Sequence, residues 1–167
     1  RYLDLNQDEV DIALRSGDTD DDAPVGRKIG DTPWAVYASP KYLERRGRPQ
    51  NVHDLGGHDW VGLDESLRTH RAALWLQQLV PPARIVARNN SVLGLAYSAK
   101  AGLGLAPLPT PLGDAHGDLV RVLGPIPELT RIWRVLTTPE LRHTPRVAAF
   151  FDFVVEEIDA LRPIITG

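Results

Sequence analysis

The sequence predicts an α/β fold divided into two lobes. Strand-like and helix-like segments alternate along the 167 residues with no repeat and no low-complexity stretch, the pattern of helices packed on sheets. A 43% hydrophobic content is enough for a packed core, in a chain with room for one ordinary domain or two small lobes. The closing helix is apolar at Phe150, Phe151, Val154 and Val155 and needs a sheet beside it. Its natural partner is the strand near the other chain end. A lobe made of residues 1–32 and 134–167 then flanks a middle lobe of residues 33–133, with crossings near 29–35 and 131–137. Two such crossings make a hinge and a cleft.

The elements follow in order. Residues 10–14 read as a buried strand ending at Arg15, Ser16 and Gly17, before an acidic turn at 18–22, and residues 34–38 as a second strand. Ser39 caps a short helix over 41–46, with Pro40 in its first position and Gly47 as its stop. A one-turn connector at 49–55 leads to a strand at 60–63. A helix then starts at Thr69 or His70, buries Ala73, Leu74, Leu76 and Leu79, and ends at Pro81 and Pro82. A strand at 84–88 precedes the most informative stretch, 90–109. There Asn90 or Ser91 caps an amphipathic helix, Gly102 supplies a left-handed stop, and residues 103–108 form a short buried strand closed by Pro107 and Pro109. In open α/β folds, helix N-termini and strand ends of this kind border ligand crevices. An ordinary helix cap accounts for the same residues. A brief helix at 111–116, an extended piece at 119–122 and a strand at 132–136 lead to the last helix. Thr144 caps it, Pro145 opens it, and Val147, Phe151, Val154, Ile158 and Leu161 form one face.

A net charge of −3 leaves no basic footprint for nucleic acid, so this segment alone is not expected to bind DNA. The absence of cysteine excludes disulfides and thiolate chemistry and suits a reducing compartment. No apolar run spans a bilayer and no export signal is visible, so the expected location is the cytoplasm. His53-Asp54 and His58-Asp59 suggest acid–base pairs, but in turn-rich connectors the aspartates read as caps and the histidines as exposed. The histidines lack metal-site spacing, and no metal or cofactor is expected. Gly102 and Gly104 lack the third glycine of a dinucleotide loop. Trp34, Trp60, Trp75 and Trp133 read as core anchors, Trp60 and Trp75 with an option near the cleft, and Tyr97 as an outer-face residue.

The ordered set DEVDIALRSG, VGRKIG, WAVYASPKYLERRGRP, DLGGHDWVGLDES, NNSVLGLAYSAKAGLGLAPLP, DLVRVL and TPRVAAFFDFVVE resembles the effector-binding domain of LysR-type transcriptional regulators from one end to the other. The resemblance implies the two-lobed, type II periplasmic-binding-protein fold and a role in sensing a small molecule without chemistry on it. The family's domain begins with a further strand, helix and strand, preceded by a linker helix and a DNA-binding winged helix-turn-helix. None is visible in this sequence, so a fragment of a longer bacterial protein is expected, with DNA contact and a homodimer or homotetramer belonging to the full-length protein. The helix bearing Tyr97 is, by the same resemblance, an interface candidate. The alternatives are a stand-alone solute-binding protein of the same fold, or a small hydrolase or isomerase using Asp64 or Glu65 with a histidine.

The resemblance carries effector contacts onto three places. Arg15 and Ser16 are the first, where a guanidinium fork holds a carboxylate and the hydroxyl adds a bond; a surface arginine paired with Asp11 or the acidic run is the alternative. Asp64, Glu65 and Ser66 are the second. Their two carboxylates favour a cationic or hydroxyl-rich effector unless Arg68 neutralises one, and a solvated turn with a helix cap is the alternative. Asn90 and Ser91 are the third.

Overall fold

The computed structural model describes residues 10–16 and 25–166, side chains of 165 and 166 excepted. The chain divides into two units: Arg1–Thr32 with Arg131–Gly167, and Pro33–Thr130. The second boundary falls before Arg131, three residues ahead of the expected one, because the strand that starts there pairs along its whole length within the first unit.

In the first unit, β1 (Ala13–Ser16), β2 (Val25–Thr32) and β8 (Arg131–Thr137) form an antiparallel sheet in the order β1-β8-β2. The helices α5 (Pro145–Glu156) and α6 (Ile158–Thr166) complete it. Val147, Phe151 and Val154 of α5 bury against Ile29 and Val135, with Trp133, Phe150 and Ile158 packed around them. The expected partnership of the last helix with this sheet holds.

Three expectations need correction here. The first strand lies over Ala13–Ser16 rather than 10–14, and Leu14 is 57% exposed, because β1 is an edge strand while the helical cluster centres on β2 and β8. The last helix is two helices, interrupted at Glu157 so that α6 can contact β2. Thr144 occupies the N-cap of α5 without a side-chain capping bond; its hydroxyl donates instead to the Leu141 carbonyl at 2.8 Å. The acidic run 18–22 lies outside the described residues.

The second unit holds β3 (Trp34–Ala38), α1 (Pro40–Arg46), β4 (Trp60–Leu63), α2 (Arg71–Leu79), β5 (Ile85–Asn89), α3 (Val92–Lys100), β6 (Ala106–Pro109), α4 (Thr110–Asp114) and β7 (Val120–Leu123). Here β3 is central between antiparallel β6 and β7, and β4 pairs with β5 in parallel. A parallel bridge from Trp60 to Leu105 joins the two groups. The strand β3 is fully buried, as its unbroken apolar run demands. Ser39 caps α1 by accepting the N–H of Tyr42 at 3.3 Å, and Gly47, at φ 78°, ends it. Ladder pairing of the strand expected at 103–108 starts only at Ala106, since Gly104 runs so close to Asp59 that a Cβ there would lie 2.6 Å from its carbonyl oxygen. Leu74 is exposed, whereas Ala72, Ala73 and Leu76 form the inner face of α2. Among the described residues no helix is long and apolar enough to cross a membrane.

Candidate functional site

The parallel strands β4 and β5 end side by side, with Leu63 opposite Asn89. Beyond that pair, the Asp64 N–H donates to the Asn89 carbonyl at 2.9 Å, and the Arg88 guanidinium donates to the Leu63 carbonyl at 3.1 Å. Both chain exits are thereby fixed at one edge of the sheet. The carboxyl ends of parallel strands, where loops and helix N-termini present unpaired groups, are the usual place for a ligand in an open α/β sheet.

After β4 comes a single 3-10 turn, Glu65–Leu67, capped by Asp64. One Asp64 carboxylate oxygen accepts both the N–H and the hydroxyl of Ser66, at 3.0 and 2.5 Å. Glu65 pairs with Arg68 at 3.3 Å, both side chains largely exposed, so the contact adds little stability while cancelling charge. The acidity expected to select a cation is thus mostly satisfied within the turn.

After β5, Asn90 and Ser91 lead into α3. Ser91 accepts the N–H of Gly94 at 3.1 Å, which makes it the cap, and its hydroxyl proton remains to be donated. Asn90 is exposed. The strand pairing therefore brings the second and third candidate groups together. Arg15 and Ser16 belong to the first unit, at the end of β1, opposite Arg134 and Trp133. The Ser16 carbonyl accepts from Arg131 at 3.3 Å. Asp11, weighed as a partner for Arg15, is held by two bonds from Arg146 at 2.9 and 3.1 Å.

Sequence reasoning missed Asn89. Its side chain lies so close under the first turn of α3 that a Cβ on Gly94 would come within 2.9 Å of it, and it accepts the Ser98 hydroxyl at 3.2 Å. Its amide nitrogen is buried with no hydrogen-bond partner among the described residues. The signal was a strand-ending asparagine followed by glycine and serine at steps of five and four.

The reading of the histidine–aspartate pairs is half corrected. Asp54 is a cap, completing a capping box with Asn51, and His53 is exposed. His58, however, is 9% exposed, with Nδ1 3.0 Å from the Tyr42 hydroxyl, and burial followed by the nearby Arg46 charge holds its pKa below the usual histidine value. Asp59 receives Arg84 at 3.2 Å and Arg46 at 3.7 Å. The pair ties α1 and β4 together. Trp34 and Trp60 are core residues, at 4% and 0% exposure, and Tyr97 is 57% exposed on α3.

Mixed α/β units of this kind have the type II periplasmic-binding-protein-like fold of solved regulatory domains. The chain belongs to the LysR substrate binding domain family, which matches residues 2–159. It is 31% identical to the HTH-type transcriptional regulator CrgA of Neisseria meningitidis over 163 residues, covering 94% of this chain and 54% of that protein. An uncharacterized HTH-type transcriptional regulator of Haemophilus influenzae is 35% identical over 160 residues, covering 87% and 52%. The chain spans about half the length of the curated relatives it matches. Among solved structures, the CrgA regulatory domain superposes with a TM-score of 0.69 at 31% identity, covering 95% of this chain and 80% of that one. The regulatory domain of Synechocystis CcmR in complex with 2-PG gives 0.72 at 15% identity, covering 95% and 78%, a likeness of fold alone.

Proposed function

We propose that this chain is the effector-sensing part of a LysR-type regulator, that the effector is recognised through the turns after β4 and β5, and that binding alters how the full-length protein engages DNA. Family membership across residues 2–159 carries the reading, because its relatives are named as transcriptional regulators. That favours a regulator over a transport-associated binding protein and over an enzyme. Candidate contact residues in this reading are Asp64, Glu65, Ser66, Asn90 and Ser91 of the second unit and, on the family resemblance, Arg15 and Ser16 of the first. DNA binding through a separate N-terminal domain, assembly as a homodimer or homotetramer, and a cytoplasmic location are parts of the same proposal. Sensing requires only that the effector bind one conformational state more tightly than the other. Because the CcmR regulatory domain, a neighbour in fold, is described in complex with 2-PG, that compound belongs in the first library.

The test is a thermal-shift screen of metabolites, since a ligand at about a hundred times its Kd stabilises the folded state by about 2.7 kcal/mol. A compound that raises Tm in the wild-type chain but not in Asn90→Ala or Ser66→Ala supports the assignment. No stabilising compound across a broad library points instead to a ligand-independent dimerisation domain.

A further inference from the structure

At the C-terminal end of α3, away from the turns after β4 and β5, one lysine sits against an imidazole. Lys100 is the last residue of the helix, and the fully buried Ala96 and Ala99 fix the helix face beside it. Its ammonium lies 3.5 Å from Nδ1 of His116, pairs with Asp118 at 3.2 Å and stands 5.6 Å from the centre of the Tyr97 ring. Tyr97 and the imidazole are themselves 6.3 Å apart between centres.

The backbone holds the imidazole in place from both sides. The His116 N–H donates to the Gly113 carbonyl at 3.3 Å, and the His116 carbonyl accepts from the buried Leu119 at 2.9 Å. An ammonium has only donors, so Nδ1 is the acceptor in this contact and a neutral ring carries its proton on Nε2. Asp118 takes one N–H of the ammonium, but its side chain is 59% exposed, which makes that pair a weak one. The space beside the imidazole is open, since a Cβ on Gly117 would meet nothing within 4 Å. The chain has two other lysines, Lys28 and Lys41. Lys28 bonds to Asp31 at 2.7 Å and Lys41 is exposed, and among the described residues no imidazole hydrogen-bonds to either.

An amine becomes a nucleophile as its proton leaves, and an adjacent base that takes the proton is the usual means of activation. We propose that Lys100 is a site of acylation by small acyl phosphates, with His116 as the base. A small donor suits an ammonium whose side chain is only 25% exposed. The Nζ lone pair attacks the acyl carbon, a C–N bond forms, and the C–O bond to phosphate breaks with its electron pair leaving on the phosphate. Of the two protons that the nitrogen sheds, His116 Nδ1 takes one and hands it to solvent, and the released phosphate takes the other. The product amide is neutral, so the Asp118 pair, the cation contact with Tyr97 and the positive charge in the last turn of α3 are lost together.

The test incubates the chain with acetyl phosphate at mildly alkaline pH, where free imidazole is neutral, and follows acetylation of the lysines by peptide mass spectrometry. Lys28 is the matched control, paired with an aspartate but without an imidazole. The initial rate at Lys100 is expected to exceed that at Lys28 by at least about fivefold, short of the roughly hundredfold or more that a base contributes in a fully built site. His116→Gln should bring Lys100 down to the rate of Lys28 while Lys28, Lys41 and the urea unfolding midpoint stay unchanged. Asp118→Asn should leave the Lys100 rate at or above that of the wild type, which separates the base from the carboxylate. A wild-type Lys100 modified no faster than Lys28, an undiminished Lys100 rate in His116→Gln, or a Lys100 rate lost in Asp118→Asn would each overturn the proposal.

Discussion

The hydroxyl of Tyr42 stands 3.0 Å from Nδ1 of His58 and takes the N–H of Asp59 at 2.9 Å, so one buried oxygen serves two elements at once. Its single proton has two acceptors in reach, the imidazole Nδ1 and, at 3.4 Å, the Asp59 carbonyl. Donation to Nδ1 requires a neutral His58 with its own proton on Nε2. Burial and the Arg46 charge both oppose the protonated form, outweighing Asp54 and Asp59.

A histidine whose folded pKa lies below its unfolded value of about 6.5 stabilises the fold fully above that pH, because the unfolded chain takes up the proton first. Stability is therefore expected to fall as pH drops from about 6.5 toward the lower folded pKa. Urea unfolding between about pH 7.5 and 5.5 measures it, and His58→Asn should flatten the curve in that window. A wild-type curve already flat there would remove His58 from the explanation.

Removing the shared oxygen leaves two groups in want of a partner, the Asp59 N–H and His58 Nδ1. Tyr42→Phe is expected to cost about 1–3 kcal/mol of unfolding free energy, the penalty for stranding buried polar groups. A loss below about 0.5 kcal/mol would mean that water replaces the hydroxyl.

Tyr37 sets a second check on packing. Its hydroxyl donates to Asp114 at 2.7 Å and accepts from Arg121 at 3.2 Å, and burial foremost, then the Asp114 hydrogen bond, push its pKa up to about 12. The ring lies directly beneath Gly113, where a Cβ would come within 2.3 Å of it. Gly113→Ala must therefore displace the ring or the α4 backbone. The expected cost is about 1–3 kcal/mol, typical of overpacking a filled core, read by chemical denaturation.

Local signals were legible in the sequence wherever a residue's own chemistry decides the structure. The strands Trp34–Ala38 and Trp60–Leu63, the Ser39 and Pro40 start of α1 and the left-handed Gly102 all follow from neighbours in the chain. What needed tertiary contacts was less visible. The stretch Val25–Thr32 is polar and glycine-bearing and becomes a strand through its pairing with β8. Leu74 fits a helical apolar face as well as Ala72 does, but α2 turns the smaller residue inward. The apolar steps of the last helix run straight through Glu157, yet α5 ends there and α6 lies against β2, a tertiary contact that periodicity does not encode. Asp64 and Asn90 each stood out as polar groups after a strand, yet only the parallel pairing of β4 with β5 places their turns side by side.

Ser91 and Asn90 are adjacent, and the structure gives them different work. Ser91 holds the first turn of α3 through Gly94, so Ser91→Ala is expected to lose about 1 kcal/mol, or about 2–4 °C in Tm, with no effector present. Asn90 is exposed and caps nothing, so Asn90→Ala should change the ligand-free stability by less than about 0.5 kcal/mol. Any loss of ligand-induced stabilisation in Asn90→Ala then reports on recognition, whereas the same loss in Ser91→Ala mixes recognition with a frayed helix. Unfolding curves of both variants, with and without the compound that stabilises the wild type, separate the two. If Asn90→Ala keeps the full ligand shift while Ser91→Ala loses it, the effector is read by the helix start and the Ser91 hydroxyl, and the Asn90 side chain drops out of the site.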